Sequence, residues 1–289
     1  MRFSILIIIL IHVLVSCDPH VEVESITPEK LLSVSCFISP QDTVFTAYVY
    51  RGSRHGSTIN LDSAAVKDAR VTLSDGIASD TLTLTHVDHP ITGIRSYRYV
   101  CRKRNVNVIA GGTYYLRVET PAGGVATSNC TIPPEASTPI ITGERVGDDY
   151  HYTIAWSAPR PHKYFVLDVT AEGFYEVSTP DGPRRISVYT RVLDSPPFPS
   201  DAQLPYNEYQ GILGNAYVAE SPLLRVTVKN IEEGLFKYFR SYAQYQDWNS
   251  NNSGNMLPNF RPMPLIYSNV DGGVGYFGGY NQTAVEVYF

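Results

Sequence analysis

Leu32-Ser33-Val34-Ser35-Cys36-Phe37-Ile38 is the stretch that decides the fold. Leu32, Val34, Cys36 and Ile38 fall on one face of an extended segment, a period of two that suits a half-buried strand. The turn residues Ser39-Pro40-Gln41-Asp42 follow, and Val44 to Tyr50 is a second β-rich run. The pattern then repeats. Val66 to Leu73 leads into the tight-turn signal Asp75-Gly76, and Asp80 to Thr85 returns as an alternating strand. Further strands are predicted at Ser96 to Lys103, at Thr113 to Glu119 after Gly111-Gly112, and at Val125 to Ile132 after Gly123-Gly124. Six or seven short strands with glycine-rich turns and no helical period predict an antiparallel β-sandwich over residues 30–132.

Pro133-Pro134-Glu135-Ala136-Ser137-Thr138-Pro139 places three prolines in seven residues, which predicts a stiff connector between two bodies. The second body, residues 140–289, opens with Tyr150 to Trp156, a proline-bearing loop, and Tyr164 to Val169. A strand ending in tryptophan, facing one that starts with an aromatic, resembles the opening of a fibronectin type III sandwich, with Trp156 as core. Phe174 to Tyr189 predicts a hairpin around Thr179-Pro180-Asp181-Gly182-Pro183, and Ser195 to Tyr209 is a long polar insertion of the kind that carries function. One helix is predicted at about 231–246, with Asn230 and Glu233 forming a capping box and Ile231, Leu235, Tyr238, Phe239 and Tyr242 recurring at helical spacing. After it, Asp247 to Asn255 reads as a polar loop around Trp248. With Asn249, Asn251 and Asn252, that tryptophan is the candidate ligand- or partner-binding tip. The fold class predicted is therefore mainly β, with two β-sandwich domains, the first similar to immunoglobulin or transthyretin modules and the second to fibronectin type III with one inserted amphipathic helix.

The amino terminus carries a location signal. Met1-Arg2, an apolar stretch from Phe3 to Val15, and Leu14-Val15-Ser16-Cys17 predict a lipoprotein signal peptide over residues 1–16, with Cys17 as the lipidated first residue of the mature chain, against the rival reading of an ordinary cleaved secretory signal. Residues 17–29, acidic and short of large apolar groups, read as a tether. Palmitate-type acyl chains would hold the protein to a membrane, each buried methylene adding about 0.8 kcal/mol. The formal net charge of -5 argues against a nucleic-acid partner, and the 21 tyrosines suit strands and interfaces. Cys36, Cys101 and Cys130 remain in an exported setting, where Cys101 and Cys130 form a possible disulfide.

Motifs for chemistry are missing from the sequence. There is no Gly-x-Ser-x-Gly, His-Glu-x-x-His or paired Cys-x-x-Cys, and no cofactor signature, so a non-enzymatic protein is expected. His86, Asp88 and His89 are weak metal candidates, because His86 and His89 point to opposite faces of a strand unless the turn at Pro90 redirects one. Strand alternation places Arg98, Arg102 and Arg104 on one side, where they meet solvent or anionic groups.

Pro264 to Gly279, with its run Asp271-Gly272-Gly273-Val274-Gly275-Tyr276-Phe277-Gly278-Gly279, is similar to the closing signature of the domain-of-unknown-function 4249 family of Bacteroidota outer-membrane lipoproteins. The resemblance extends to the lipidated cysteine, the strand at Leu31 to Ile38, Gly111 to Leu116 and the late helix. It implies no catalytic residue. What it does imply is an outer-membrane, lipid-anchored location, with the periplasmic and cell-surface faces both open, and a partner, because such lipoproteins are commonly encoded beside TonB-dependent receptors. The expectation is an accessory protein that helps such a transporter capture or present cargo. The alternative is a surface glycan-binding or adhesion lipoprotein. The five glycines of the closing run are expected in a structural turn.

Overall fold

The structure, a computed structural model, describes residues 31–52, 60–103, 105–147, 149–157, 164–179, 182–194, 198–199, 207–213, 223–252 and 263–288. The signal segment, Cys17, the tether and most of the Ser195–Tyr209 insertion lie outside the described residues. The first half of the chain forms β1 (Leu32–Ile38), β2 (Val44–Arg51), the helical turn α1 (Leu61–Ala64), β3 (Arg70–Ser74), β4 (Ser79–Asp88), β5 (Arg95–Arg102), β6 (Thr113–Glu119) and β7 (Val125–Thr131). The second forms β8 (Ile140–Val146), β9 (Asp149–Trp156), β10 (Tyr164–Thr179), β11 (Gly182–Asp194), β12 (Phe198–Pro199), β13 (Asn207–Leu213), β14 (Leu223–Ile231), α2 (Glu233–Asn252) and β15 (Gly273–Tyr288). The protein is mainly β, with one large mixed sheet in the order β11-β10-β14-β15-β1-β2-β5-β4-β3-β6-β7 and a small sheet β13-β9-β8.

Alternation puts the expected faces inward. Val34, Cys36 and Ile38 of β1 and Phe45, Ala47 and Val49 of β2 are buried against Val71, Leu73, Leu116 and Val118 of β3 and β6. β4 turns the corner between these layers: Val71 pairs with Leu82 on one side, while Thr83 to Asp88 pair with β5 on the other. Two buried tyrosines fasten loops to this core. Tyr99 Oη donates to the Val66 carbonyl at 2.8 Å and accepts from Ala69 N–H, and Tyr114 Oη donates to the Asn107 carbonyl at 2.8 Å and accepts from Ile109 N–H.

The sheet is not purely antiparallel, as the local pattern predicts it to be. Gly273–Gly279, the first half of β15, runs parallel to β1 from Leu32↔Gly273 to Ile38↔Gly279. Its second half pairs antiparallel with β14, from Ile231↔Tyr280 to Leu223↔Tyr288. One strand therefore joins the two halves of the large sheet, and Phe277 and Val270 lie in the core built on β1 to β7. The glycines of the closing run, expected in a turn, mostly lie in this strand. Gly275 has φ +116°, and a Cβ there would overlap the Val34 carbonyl, so only glycine lets β15 lie this close to β1.

The second core gathers Ile154 and Trp156 of β9 with Phe165, Leu167 and Val169 of β10 and Val226 and Val228 of β14. Trp156 is buried and meets Phe165 edge-on at 5.9 Å. The hairpin expected around 179–183 is present as β10–β11, closed by Thr179↔Gly182. The proline segment is held by side chains of β14 and β15. Asn281 Nδ2 donates to the Pro133 carbonyl at 3.0 Å, Asn230 Nδ2 donates to the Pro134 carbonyl at 2.8 Å, and Gln41 Nε2 donates to Asn281 Oδ1 at 2.8 Å.

Two local expectations are corrected here. Asn230 is buried in β14 opposite Asn281 and does not cap the helix, which starts at Glu233 with Phe236 N–H bonded to the Glu232 carbonyl. Tertiary pairing of β14 with β15 outweighs the local capping signal. The possible Cys101–Cys130 bond is not formed: Cys36 and Cys130 are buried free thiols. Cys101 lies on β5 and Cys130 on β7, with β4, β3 and β6 between them in the sheet order. Burial holds both the Cys36 and Cys130 thiols well above their ordinary pKa.

Candidate functional site

The helix α2 is positioned by a half-buried carboxylate at its entry. Glu232 accepts from Gly279 N–H at 3.0 Å and Tyr276 Oη at 3.2 Å through Oε1, and from Thr131 N–H at 3.2 Å through Oε2. Those three donors belong to β15 and β7, so one side chain ties the helix start to both. Burial raises the Glu232 pKa above the usual carboxylate range, against the lowering effect of its hydrogen bonds. The neighbouring Tyr276 hydroxyl is pushed well up, chiefly by burial and then by the Glu232 charge. Asp42 repeats the theme on a smaller scale, accepting from Tyr280 Oη at 3.1 Å, and burial raises its pKa too.

From there the helix crosses the outer face of the large sheet. Leu235 is buried beside Ile231 and Tyr276. Phe236 stacks on Tyr164 of β10 at 4.4 Å, Tyr238 stacks on Tyr276 at 5.1 Å, and Phe239 meets Phe37 of β1 at 5.8 Å. The first half of α2 is thus docked over β10, β15 and β1, as the apolar spacing predicts. Beyond it the aromatic series continues outward. Tyr242, 42% exposed, stacks on Tyr238 at 6.2 Å and accepts from Gln246 Nε2, and Tyr245 stacks with Trp248 at 6.3 Å. At 3.6 residues per turn, positions 238, 242, 245 and 248 span a sector of about 120°.

Beside this ladder runs the extended segment from Met263. Tyr267 N–H donates to Ser241 Oγ at 2.8 Å, and the Tyr267 ring lies 6.0 Å from Tyr276. Leu265 is 85% exposed, and Met263, Ile266 and Tyr267 are exposed as well. Helix and segment together present an apolar, aromatic surface with tyrosine hydroxyls. Such patches on an otherwise polar surface are where proteins or ring-shaped ligands stack.

The loop expected at 247–255 is corrected in part. α2 runs to Asn252, so Trp248, Asn249, Asn251 and Asn252 lie on its final turns. The reason is legible afterwards: the helical recurrence of aromatics does not stop at Tyr242, and the first glycine is Gly254. Trp248 is half-buried and Asn249 exposed. Tyr245, Leu265 and Tyr267 join the surface without having been singled out from sequence. The 4-3-3 spacing of 238, 242, 245 and 248 was the available signal for Tyr245.

His86, Asp88 and His89 do not converge. His86 is exposed on β4 with its ring 5.9 Å from Tyr97, Asp88 makes a two-pronged ion pair with Arg95, and His89 Nδ1 accepts from Ile91 and Thr92 N–H in the turn that follows. Arg95 holds the Asp88 carboxyl below its usual range. No group of three or more metal-ligating side chains occurs among the described residues.

No curated protein matches the chain. Solved structures similar to it are distant. A DUF4785 family protein from Legionella pneumophila has a TM-score of 0.24 at 12% identity, with 68% of this chain and 51% of that one covered. Trypsin-activated alpha-2-macroglobulin from Escherichia coli has a TM-score of 0.22 at 12% identity over 72% and 15%. A putative carbohydrate binding protein from Bacteroides uniformis has 0.18 at 10% identity over 69% and 88%. The chain therefore spans about half the length of the first of these and 15% of the second. The model of the domain of unknown function DUF4249 matches residues 18–286, nearly the whole chain, and the protein belongs to that family.

Proposed function

We propose that the protein is a non-catalytic, lipid-anchored accessory protein of the outer membrane that docks on a TonB-dependent transporter and helps it capture or present cargo. The observation that carries this reading is the exposed aromatic face of α2 continued by Met263–Tyr267, an interface-like surface held rigidly by the Glu232 lock. Membership of the family and the lipoprotein signal read at residues 1–16, just before Cys17, support the location. In this reading the first body is an immunoglobulin- or transthyretin-like sandwich and the second a fibronectin type III-like one, serving as rigid presenters of that face.

Copurification from gently solubilised outer membranes tests it. Wild-type protein is expected to bring down a TonB-dependent receptor, and a Tyr242→Ala/Trp248→Ala variant with an unchanged circular dichroism spectrum to lose it. Repeated recovery of no receptor by the wild type would overturn the reading. The second reading, a surface glycan-binding or adhesion lipoprotein, is favoured by the outward Tyr242–Tyr245–Trp248 series, because sugar faces stack on such rings. Neutral-glycan binding lost in Trp248→Ala, without any receptor, would establish it instead.

A further inference from the structure

Helix α2 covers only part of the outer face of the large sheet, through Phe37 and Tyr276. Across β2, β5 and β4 no described element packs on that face, and the burial alternation shows which residues it presents. Tyr99 is buried inward, so Arg98, Val100 and Arg102 face out, with Thr85 beside Arg98, Thr83 beside Val100 and Val44 beside Arg102. Tyr48 and Tyr50 of β2 share the face, and Tyr50 Oη reaches across to the Tyr97 carbonyl at 3.4 Å. Arg98 is half-buried, its Nε is shut off from solvent without a hydrogen-bond partner, and it joins no ion pair among the described residues. A guanidinium kept in that state is costly unless an anion completes it. No carboxylate of β1, β2, β4 or β5 faces out here. The nearest acid in the register, Asp80, is buried, and both its oxygens are used by Asn105 and Val106 N–H. At the Arg102 end, where β4 leaves β3 for β5, the face deepens into a groove of about 560 Å³ lined by Thr81, Thr83, Val100 and Arg102, with the Asp80 carboxylate, already taken up by Asn105 and Val106, in its wall.

We infer that this face is a binding site for an acidic oligosaccharide, with Arg98 and Arg102 taking carboxylates and the threonines and tyrosines taking ring hydroxyls and ring faces. Two features choose this occupant. Arg98 and Arg102, four strand positions apart, stand about 13–14 Å from each other, which suits an extended ligand with repeated negative charge. Guanidinium groups flanked by hydroxyls and tyrosine rings match a ligand that carries carboxylates, hydroxyls and ring faces together. The site is separate from the helix surface of the proposed function, and neither depends on the other.

The test is calorimetric titration of the full chain in detergent with oligogalacturonate. Binding is expected to weaken about ten-fold or more in Arg98→Gln, to weaken also in Arg102→Gln, and to fall steeply with added salt. The uncharged reduced oligosaccharide of the same length should bind at least ten-fold more weakly than the acidic one. Thermal melting of Arg98→Gln should match the wild type, since the Arg98 Nε has no hydrogen-bond partner to lose among the described residues, and Thr85→Val provides a second, neutral probe of the same face. Equal binding by wild type and Arg98→Gln overturns the inference. So does tight binding to anionic phospholipid vesicles with none to the oligosaccharide, which would identify a membrane surface as the true occupant.

Discussion

Replacing Glu232 by alanine tests the lock that positions α2. The substitution leaves the Gly279 N–H and the Tyr276 hydroxyl without an acceptor in a buried setting, whereas the Thr131 N–H, on an exposed residue, is recovered by water. Each orphaned buried donor costs about 1–3 kcal/mol. Removing a buried charge gives some of that back, which leaves a net loss of about 2–4 kcal/mol. With a urea dependence of about 3 kcal/mol per molar for a chain of this size, the unfolding midpoint should fall by roughly 1 M at unchanged slope. Glu232→Gln keeps an amide oxygen for Gly279 and Tyr276 and should stay within about 1 kcal/mol of the wild type.

The pH dependence supplies an independent check with a definite sign. Burial raises the folded-state pKa of Glu232 above the ordinary 4.5, so the folded protein holds that proton more tightly than the unfolded chain does. Its contribution is fully present below the unfolded value and is lost as pH rises through the folded value. Wild type should therefore gain stability relative to Glu232→Gln as pH is lowered from 7 to about 4. Asp42, also raised, contributes to both proteins and cancels in the difference. Equal midpoints for wild type and Glu232→Ala, or a wild-type-minus-Gln difference that grows with rising pH, would refute the reasoning.

Further outcomes follow from the same geometry. Gly275→Val, which drives a Cβ into the Val34 carbonyl at a φ that branched residues avoid, should cost about 3 kcal/mol or more and show as loss of folded protein on expression. Asn281→Ala strands the Pro133 carbonyl and is expected to cost about 1–3 kcal/mol and to make the 133–137 segment susceptible to limited proteolysis. Cys36 and Cys130, buried and with raised pKa, should resist iodoacetamide in the folded protein and be alkylated only in denaturant, as peptide mapping would show.

How far the sequence reaches is clearest at particular residues. Leu32, Val34, Cys36 and Ile38 announce their strand and its buried face because a period of two is a local property, and β2 through β7 follow from the same rule with ends shifted by a few residues. Trp156 and the stripe Leu235–Phe239 are legible as packing residues for the same reason. The site was half visible: Trp248 stood out by rarity, but Tyr245 and Tyr267 are ordinary tyrosines in a chain that has 21 of them. What the local pattern leaves undecided is any contact between distant segments. That β15 lies parallel to β1, that Asn230 serves a strand rather than a cap, and that Glu232 gathers donors from β7 and β15 all depend on backbone groups brought together from far along the chain. Local propensity is worth a few tenths of a kilocalorie per residue, while a strand pairing saturates whole rows of buried N–H and carbonyl groups, so tertiary structure has the final word wherever the two disagree.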